Sequence, residues 1–405
     1  MIRKFFFIST IALLILALCA GIVSALETSP ATVVKTNLDN VRFYAAASQA
    51  AGMNYAVDGG ELFVGRPGEW RQIATPEGVL VSALALDSTR PPIVYFGAAN
   101  DLAIYRMDTR SGGWMRVPLS NEGVGGVTSL AIDKANRLVY AGTDTAGIFR
   151  LRDVGASMIA SGHIELSEPV VEIVADSTGA GMVFARTSST LYRADTQGMD
   201  WHVVNNLGST PTALAIVNGI PATVYVGTAD RGLLTSQDGL TWSMANDGLN
   251  FVPGSRLMID AIAAEPTRSN VLYVATSYLY GTTTVHQSPV GVSMTTDGGS
   301  TWKMLAGMTE VPVAELLPVA GQPGAVYALT LASRQPQALG SAPLISESEV
   351  IAAAGAATNI AWTQLAAWVI AACAALALIF ALANDLRRRA ENVPVSALQR
   401  QAVSH

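Results

Sequence analysis

Charged residues and cysteines are both scarce in this 405-residue chain, and each scarcity excludes a class of protein. Only 14% of the residues are charged, and residues 26–360 carry 19 Lys and Arg against 29 Asp and Glu. A segment that is acidic by ten charges is poorly suited to nonspecific binding of nucleic acid or anionic lipid. The two cysteines, Cys19 and Cys373, lie in separate apolar runs near the two ends, so no disulfide is expected within the segment between those runs.

Metal-ligand spacings are also missing from the sequence. The four histidines are far apart along the chain, and no Asp-rich calcium loop of the EF-hand type is present. We therefore predict no metal site and no cofactor.

Apolar runs of membrane-spanning length are confined to the two ends. At the start, Arg3 and Lys4 precede an apolar run from residue 5 to about residue 20, and Val-Ser-Ala at 23–25 has the small residues of a signal-peptidase site. Residues 1–25 are therefore predicted to be a secretory signal peptide. An uncleaved anchor helix is the alternative, because the run approaches the length of a short span.

The second apolar run predicts a transmembrane helix. Residues 361–383 carry no charge and are long enough to cross the hydrocarbon of a bilayer. Trp362 and Trp368 lie near the entry side of this run, and three arginines at 387–389 mark its exit side as cytoplasmic. The chain is thus expected to be a single-pass cell-membrane protein, with an extracytoplasmic domain at 26–346, a linker at 347–360 and a short cytoplasmic tail at 384–405.

Tryptophans between these ends recur at a nearly constant spacing. Trp70, Trp114, Trp201, Trp242 and Trp302 are 44, 87, 41 and 60 residues apart, and 87 is about two periods. A period of about 40 to 45 residues indicates the blades of a β-propeller.

Each repeat unit contains four short strands and no helical pattern. The first strand alternates apolar and small residues, as at 81–87, and the second ends in glycine, as at 139–142. We predict an all-β propeller of about seven four-stranded blades, although six or eight would also fit. The predicted blades lie at about 40–73, 80–118, 126–165, 169–205, 211–245, 258–305 and 311–346.

Two turns before a tryptophan have nearly the same sequence, at 236–242 and 295–302, and both resemble the Asp-box or bacterial neuraminidase repeat. The matching residues are Ser236, Asp238, Gly239, Thr241 and Trp242 in the first turn, and Thr295, Asp297, Gly299, Thr301 and Trp302 in the second. The aspartate accepts N–H groups of its turn, the glycine supplies positive φ, and the tryptophan fills space between blades. In families that carry this motif the turn is structural, so the resemblance implies that these residues stabilise the fold and bind no ligand.

The resemblance covers about 300 residues and extends to sialidases, sortilin-type receptors, xyloglucanases and photosystem II assembly and stability factor-like propellers. The last group resembles this chain most in the sequence of its repeats, because its blades share the Tyr-x-Gly-Thr strand ending found here at 140–143 and 225–228. A photosystem assembly factor-like role is one implied possibility, but a fold does not carry its function with it.

Catalytic residues are not apparent in the sequence. A sialidase needs clustered arginines that bind a carboxylate, together with a tyrosine and an acid, and the Arg-Ile-Pro triplet typical of that family is missing. A glycoside hydrolase needs two carboxylates about 5 to 10 Å apart on one face. We therefore assign no catalytic residue.

One face of the propeller carries the candidate binding residues. In a four-stranded antiparallel blade, the turns between the second and third strands lie on the same face as the links between blades, opposite the Asp-box turns. Asp101, Asp144 and Asp230 lie in such turns of three blades. Turn chemistry is the favoured interpretation for all three.

The 60-residue gap between Trp242 and Trp302 indicates an insertion of roughly 17 residues relative to the period. Much of the excess falls at 277–289, where Tyr278, Tyr280 and His286 lie among small polar residues. This segment is either a recognition loop or a tolerated surface insertion.

The combined features favour a noncatalytic binding or assembly scaffold, anchored in the bilayer through residues 361–383, that recruits a protein or a membrane complex. A cell-surface glycan-binding protein or glycoside hydrolase is the alternative from a different class.

Overall fold

The computed structural model describes residues 34–342, except for residues 36, 47–53, 67–68, 88–92, 110–111, 121–123, 179–180, 196, 218, 220, 250–251, 306–310, 333 and 335, and also describes Phe380, Ala383 and Arg387. The predicted signal peptide, the linker and nearly all of the predicted transmembrane segment and tail lie outside these residues. None of the helical residues described belongs to a helix long and apolar enough to span a bilayer. The chain divides into two units, Met1–Ile345 and Ser346–His405.

The first unit is a seven-bladed β-propeller, which confirms the all-β prediction and its blade count. Blades 1 and 2 consist of β1 (Val34–Lys35), β2 (Val41–Ala46), β3 (Asn54–Asp58), β4 (Glu61–Arg66) and β5 (Glu69–Ile73), then β6 (Val81–Asp87), β7 (Ile93–Ala98), β8 (Asp101–Asp108) and β9 (Trp114–Pro118). Blades 3 and 4 consist of β10 (Val127–Asp133), β11 (Leu138–Thr143), β12 (Ile148–Asp153) and β13 (Met158–Ile164), then β14 (Glu172–Ala175), β15 (Val183–Arg186), β16 (Leu191–Asp195) and β17 (Asp200–Val203). Blades 5, 6 and 7 consist of β18 (Pro211–Val217), β19 (Thr223–Thr228), β20 (Leu233–Ser236) and β21 (Ser243–Met244), then β22 (Arg256–Ala264), β23 (Leu272–Tyr280), β24 (His286–Thr295) and β25 (Lys303–Met304), and finally β26 (Val313–Pro318), β27 (Ala325–Thr330) and β28 (Gln337–Gly340).

The first and last blades depart from the predicted four strands. In blade 1 the short strand β1 pairs antiparallel with the outer edge of β5, which gives five strands in the order β1-β5-β4-β3-β2. Lys35 on β1 is also ion-paired with the buried Asp58 at 2.9 Å. Blade 7 has three described strands, and the chain that follows β28 leaves the described residues after residue 342.

The innermost strand of each blade lines the axis, because the first strands of neighbouring blades contact one another. We call the face that carries the turns between second and third strands, together with the links between blades, the upper face. The opposite face is the lower face.

Glycines at the ends of second strands receive a side chain from the next blade. At each of these positions an added Cβ atom would lie within 2.7 Å of a β-branched side chain, so only glycine allows the blades to approach this closely. The pairs are Gly97 with Val127, Gly142 with Val170, and Gly227 with Ile259. This contact gives the strand-ending glycine of the repeat a packing role.

The same three junctions carry a hydrogen bond between innermost strands. The pairing of the first and second strands skips one residue near the upper face, and the hydroxyl of that residue donates to a backbone carbonyl of the next blade. The bonds are Ser82 Oγ to Val127 O at 2.5 Å, Thr128 Oγ1 to Val170 O at 2.6 Å, and Thr212 Oγ1 to Ile259 O at 2.6 Å. Side-chain hydroxyls thus staple blade 2 to 3, blade 3 to 4 and blade 5 to 6.

Tyrosines on second strands make a further contact between blades, towards the lower face. Tyr140 donates its hydroxyl to the carbonyl of Gln197 at 2.7 Å, and Tyr225 donates to the carbonyl of Gly298 at 2.8 Å. Both acceptors lie in the turn between the third and fourth strands of a following blade. The tyrosine of the repeat therefore fixes its neighbour's turn.

Candidate functional site

A pocket of about 490 Å³ opens on the upper face at the mouth of the axis. Its lining residues come from blades 1, 2, 3 and 7 and from the links between blades: Arg42, Ser82, Ala99, Gly126, Val127, Thr128, Asp144, Pro169, Val170, Val171 and Arg334. Two of these residues are cationic and one is acidic. The pocket therefore favours an anionic or hydrogen-bond-accepting group.

Arg334 is held firmly at this mouth. Its Nε donates to the carbonyl of Val41 at 2.5 Å, and one terminal nitrogen lies 3.5 Å from Glu315 Oε2. The backbone of Arg334 also forms a parallel bridge to Asn40. Arg42 is exposed beside it, and no carboxylate among the described residues lies within ion-pair distance of Arg42.

Two glutamates lie on innermost strands below this mouth. Glu172 in blade 4 is paired with Arg186 at 2.8 Å and accepts the Leu214 N–H at 3.2 Å, and Glu315 in blade 7 is paired with Arg334. Burial is the main cause that raises the pKa of Glu315 to about 8; the charge of Arg334 opposes this shift, and the charge of Glu172 adds to it.

The predictions from sequence missed these charged residues, although the repeat contains a signal for the glutamates. Each glutamate occupies the strand position directly after the one that carries the hydroxyl staple in other blades. In blades 2, 3 and 5 this position holds a small residue: Ala83, Ser129 and Ala213. Aligning the first strands position by position would have marked blades 4 and 7 as exceptions.

The three predicted turn aspartates lie on the upper face but are occupied by partners within the fold. Asp101 accepts bonds from Arg116 at 2.6 and 2.7 Å and from the Tyr105 hydroxyl at 2.7 Å. Asp144 accepts the Gly126 N–H at 2.8 Å, and Asp230 accepts the Ser209 hydroxyl. Among the three, Asp144 alone lines the pocket.

The predicted insertion is a long β-hairpin rather than an irregular loop. Strands β23 and β24 have 9 and 10 residues and pair from Leu272 with Thr295 up to Tyr280 with His286, so only residues 281–285 form the turn. The strand conformation extends because Tyr, Thr and Val side chains favour a pleated, half-buried surface. Strand β22 lengthens the sheet on one side, where Arg256 pairs with Leu279.

The aromatic residues of this hairpin share one side of the sheet. Tyr278 is partly buried and packs on the core between blades 5 and 6, while Tyr280 and His286 are exposed and stack with ring centroids 5.4 Å apart. The innermost strand β22, on which the hairpin is paired, is supported by blade 5, since the Gly232 N–H donates to the Leu257 carbonyl at 2.8 Å. The aromatic pair is therefore presented on a supported sheet.

The turn at Asp238 is closed by its own side chains. Asp238 Oδ1 accepts the Leu240 and Thr241 N–H groups at 2.8 and 2.7 Å, and Ser236 Oγ accepts the Gly239 N–H at 2.8 Å. The bonds that Asp238 itself accepts, led by that from the Thr241 N–H, lower the pKa of Asp238. Trp242 contacts Phe184 of blade 4 edge to face, at 6.2 Å between centroids.

The turn at Asp297 has the same arrangement. Asp297 accepts bonds from Thr295 at 2.6 Å and from Thr301, both at its N–H at 2.9 Å and at its hydroxyl at 2.6 Å. These hydrogen bonds, led by that from Thr295, lower the pKa of Asp297 to about 2. Gly299 has a φ of 87°, and the buried Trp302 donates its ring N–H to the Ala245 carbonyl at 2.9 Å.

In the part of the chain that the structure describes, no group of three or more His, Cys, Asp or Glu side chains is arranged to hold a metal.

Comparison with known proteins relates the chain to others at the level of fold. No family model and no curated protein matches the sequence. A glycoside hydrolase family 74 xyloglucanase from Xanthomonas campestris is similar at 17% identity and a TM-score of 0.53, over 74% of this chain and 52% of the enzyme. A family 74 enzyme from Niastella koreensis is similar at 15% identity and a TM-score of 0.52, over 73% of this chain and 51% of that chain.

The chain thus spans about half the length of these two enzymes. YCF48, in a structure with a D1 peptide bound, is similar at 12% identity and a TM-score of 0.53, over 80% of this chain and 98% of that protein. At such identities the likeness shows a shared propeller fold.

Proposed function

We propose that the protein is a noncatalytic scaffold that binds a protein partner through the upper face of its propeller. The observation that carries this proposal is the extended blade 6 hairpin, which presents the stacked Tyr280 and His286 on a supported sheet. Aromatic side chains are enriched at protein interfaces because they bury a large area and lose little conformational entropy.

Exposed apolar side chains elsewhere on the upper face support a protein partner. They lie in links between blades, in a turn of blade 7 and at the hairpin tip: Leu80, Val124, Val171, Val252, Val285 and Leu331. Single exposed apolar residues are ordinary on a surface, but one of these six, Val171, also lines the pocket, and Val285 lies at the tip of the hairpin that carries Tyr280 and His286. The arginines at the mouth add a preference for an acidic group on the partner.

The glycoside hydrolase alternative is less well supported by the pocket. Asp144 is the one acidic residue among the lining residues, and its carboxylate already accepts the Gly126 N–H. General acid and base chemistry on a glycan needs a second carboxylate nearby, and the two glutamates below the mouth, Glu172 and Glu315, each lie within ion-pair distance of an arginine of the fold. The xyloglucanase likeness is at the level of fold and carries no catalytic residues to this chain.

Anchoring and location are part of the proposal. We infer from the uncharged run at 361–383 and the arginines after it that the propeller lies outside the cytoplasmic membrane, with the C-terminus inside. The turns at Asp238 and Asp297 favour membership of the Asp-box propellers. Within that group, an assembly role like that inferred for photosystem factor-like propellers is compatible with a protein-binding upper face.

The proposal is tested by crosslinking membranes that contain the full-length tagged protein and identifying the captured proteins. The informative variant replaces residues 279–287 by Asn-Gly, which closes β23 and β24 with a two-residue turn and removes Tyr280 and His286. A partner captured by the wild type and lost from this variant is the expected result.

Leu240→Ala is the matched control, because Leu240 is an exposed apolar residue on the lower face. It should leave capture unchanged. Equal capture by the wild type and the shortened variant would contradict the proposal, and selective binding of the full-length protein to a glycan array would favour the lectin or glycosidase alternative.

A further inference from the structure

The hydroxyl staple between innermost strands is replaced in blade 6. At the register position of Ser82, Thr128 and Thr212, where β22 skips one residue in its pairing with β23, blade 6 carries Asp260. A carboxylate accepts hydrogen bonds and cannot donate one to the carbonyl of the next blade. Blade 6 has therefore given up the hydroxyl contact of blades 2, 3 and 5.

The carboxylate of Asp260 is instead directed into its own blade. Its two oxygens accept a bond from Ser277 Oγ at 2.5 Å and one from Gln287 Nε2 at 2.9 Å, and the same Gln287 nitrogen lies 3.2 Å from Ser277 Oγ. Ser277 is on β23 and Gln287 is on β24. One side chain on the innermost strand thus holds both strands of the extended hairpin.

Asp260, Ser277 and Gln287 lie at the base of the part of the hairpin that extends beyond the strands of the other blades. The pairing of β22 with β23 shifts at Asp260, and the pairing of β23 with β24 shifts between Thr276 and Ser277. Register shifts bend a strand and increase its twist, so they set the direction in which the following residues project. The Asp260 bonds fix both shifts together.

We propose that Asp260 is a positioning residue that orients the blade 6 hairpin and so presents Tyr280 and His286 to the partner. The inference rests on the proposed function for its biological meaning, but the ordering of the hairpin is measurable without a partner. A hairpin is marginally stable by itself, and ordering a recognition element before binding reduces the entropy lost on association.

Burial supports the positioning role of Asp260, because burial disfavours the ionised form of this carboxylate. Burial raises the pKa of Asp260 to about 6, and the bonds from Ser277 and Gln287 oppose that shift. A serine or threonine would avoid this cost and would continue the staple of blades 2, 3 and 5. The hydrogen bonds to the hairpin are the physical gain that the aspartate offers in exchange.

Amide hydrogen exchange of the full-length protein tests the proposal. Asp260→Thr installs the hydroxyl found in the other blades and removes the acceptors of Ser277 and Gln287. We expect exchange at 277–289 to accelerate about tenfold or more, the effect of losing hydrogen bonds to a charged group, while exchange across blade 3 stays unchanged. Asp260→Asn keeps one acceptor oxygen and should restore part of the protection.

Asp101→Ala is the control, because Asp101 is also a carboxylate of the upper face held by two side chains, but in blade 2. It should leave the hairpin protected. A hairpin that stays protected in Asp260→Thr, or exchange that accelerates equally in every blade, would overturn the positioning role.

Partner capture separates the two proposals. Loss of capture in both Asp260→Thr and the shortened hairpin variant is the result expected if both hold. A loosened hairpin with capture unchanged in both variants would leave the positioning role standing and refute the hairpin as the partner site. A protected hairpin in Asp260→Thr, with capture lost only on shortening, would refute the positioning role alone.

Discussion

Arg334 of blade 7 donates from its guanidinium Nε to the backbone carbonyl of Val41 in blade 1, and this bond is one of the contacts that join the last blade to the first. Val41 occupies the acceptor position that Val127, Val170 and Ile259 occupy at other junctions. Blade 7 carries Ala314 at the position of the hydroxyl, so an arginine from the following part of the blade supplies the donor. At this junction the equivalent backbone carbonyl, that of Val41, therefore accepts from a guanidinium instead of a hydroxyl.

Replacing Arg334 should weaken this junction more than replacing a surface arginine. Arg334→Ala leaves the Val41 carbonyl without its side-chain donor, so we expect a loss of about 1 to 3 kcal/mol in the free energy of unfolding. Arg116→Ala breaks an exposed pair with Asp101 and should cost about 0 to 1 kcal/mol. Urea unfolding of both variants measures the difference, and equal losses would contradict the role of Arg334 at this junction.

Glycine at the end of a second strand should be intolerant of even one methyl group. A Cβ at residue 142 would lie 2.4 Å from the Val170 Cγ1, so Gly142→Ala is expected to cost about 1 to 3 kcal/mol through overpacking. Gly113→Ala is the control, because it has open space around its Cβ position and no positive φ. In thermal unfolding, Gly142→Ala should lower Tm and Gly113→Ala should not.

A double variant adds a direct test of that contact. Val170→Ala shortens the side chain that meets residue 142, so the two substitutions together should cost less than the sum of their separate effects. Additive losses would show that the glycine is needed for another reason.

Much of the fold could be predicted from the sequence because its elements are local and repeated. The predicted third blade, 126–165, differs by one residue at each end from the observed Val127–Ile164. Strands and turns are determined by short stretches of sequence, through the alternation of apolar residues and the position of glycines, and the spacing of the tryptophans predicts the number of blades. The first blade differs from the prediction because β1, which precedes the predicted repeat, adds a fifth strand to its outer edge.

The candidate site could be predicted only in part. The long spacing between Trp242 and Trp302 indicates the segment that contains Tyr280 and His286. Their stacking depends on the register of β23 and β24, which the spacing does not specify. The axial charges were missed because the side of a strand that faces the axis depends on the register shift near the upper face. Arg334 and Val41, nearly 300 residues apart, meet only when the ring closes.

The turn at Asp297 should make acid unfolding sensitive to one carboxylate. Its pKa lies at about 2, below the ordinary value of 3.8, so the folded state favours the ionised form. The stabilisation is present above about pH 4 and is lost as pH falls towards 2. Asp297→Asn should therefore lower Tm at pH 6 and flatten its dependence on pH between 4 and 2.

Asp200→Asn provides the comparison, because Asp200 is exposed on the outermost strand of blade 4. This variant should keep the acid dependence of the wild type. If Asp297→Asn and the wild type lose stability in parallel between pH 4 and pH 2, the hydrogen bonds of this turn contribute nothing to acid stability.

Glu315 should give the propeller the opposite dependence, at higher pH. Its pKa is raised to about 8 from an ordinary value of 4.5, so the folded state holds a proton that the unfolded chain releases. The resulting stabilisation is complete below about pH 4.5 and is lost as pH rises through about 8. Glu315→Gln mimics the protonated form, so its free energy of unfolding should exceed that of the wild type by about 1 to 3 kcal/mol at pH 8.5 and match it near pH 4.5.

Glu172→Gln identifies the electrostatic part of this effect. Burial is the main cause of the raised pKa and the charge of Glu172 is a further one, while Arg334 opposes both. Removing the Glu172 charge should shift the loss of stability of the otherwise wild-type chain to lower pH, as measured by urea unfolding from pH 4.5 to 9. If Glu315→Gln loses stability over the same pH range as the wild type, another group causes the dependence. If Glu172→Gln alone leaves the range unchanged, the two carboxylates do not interact across the axis.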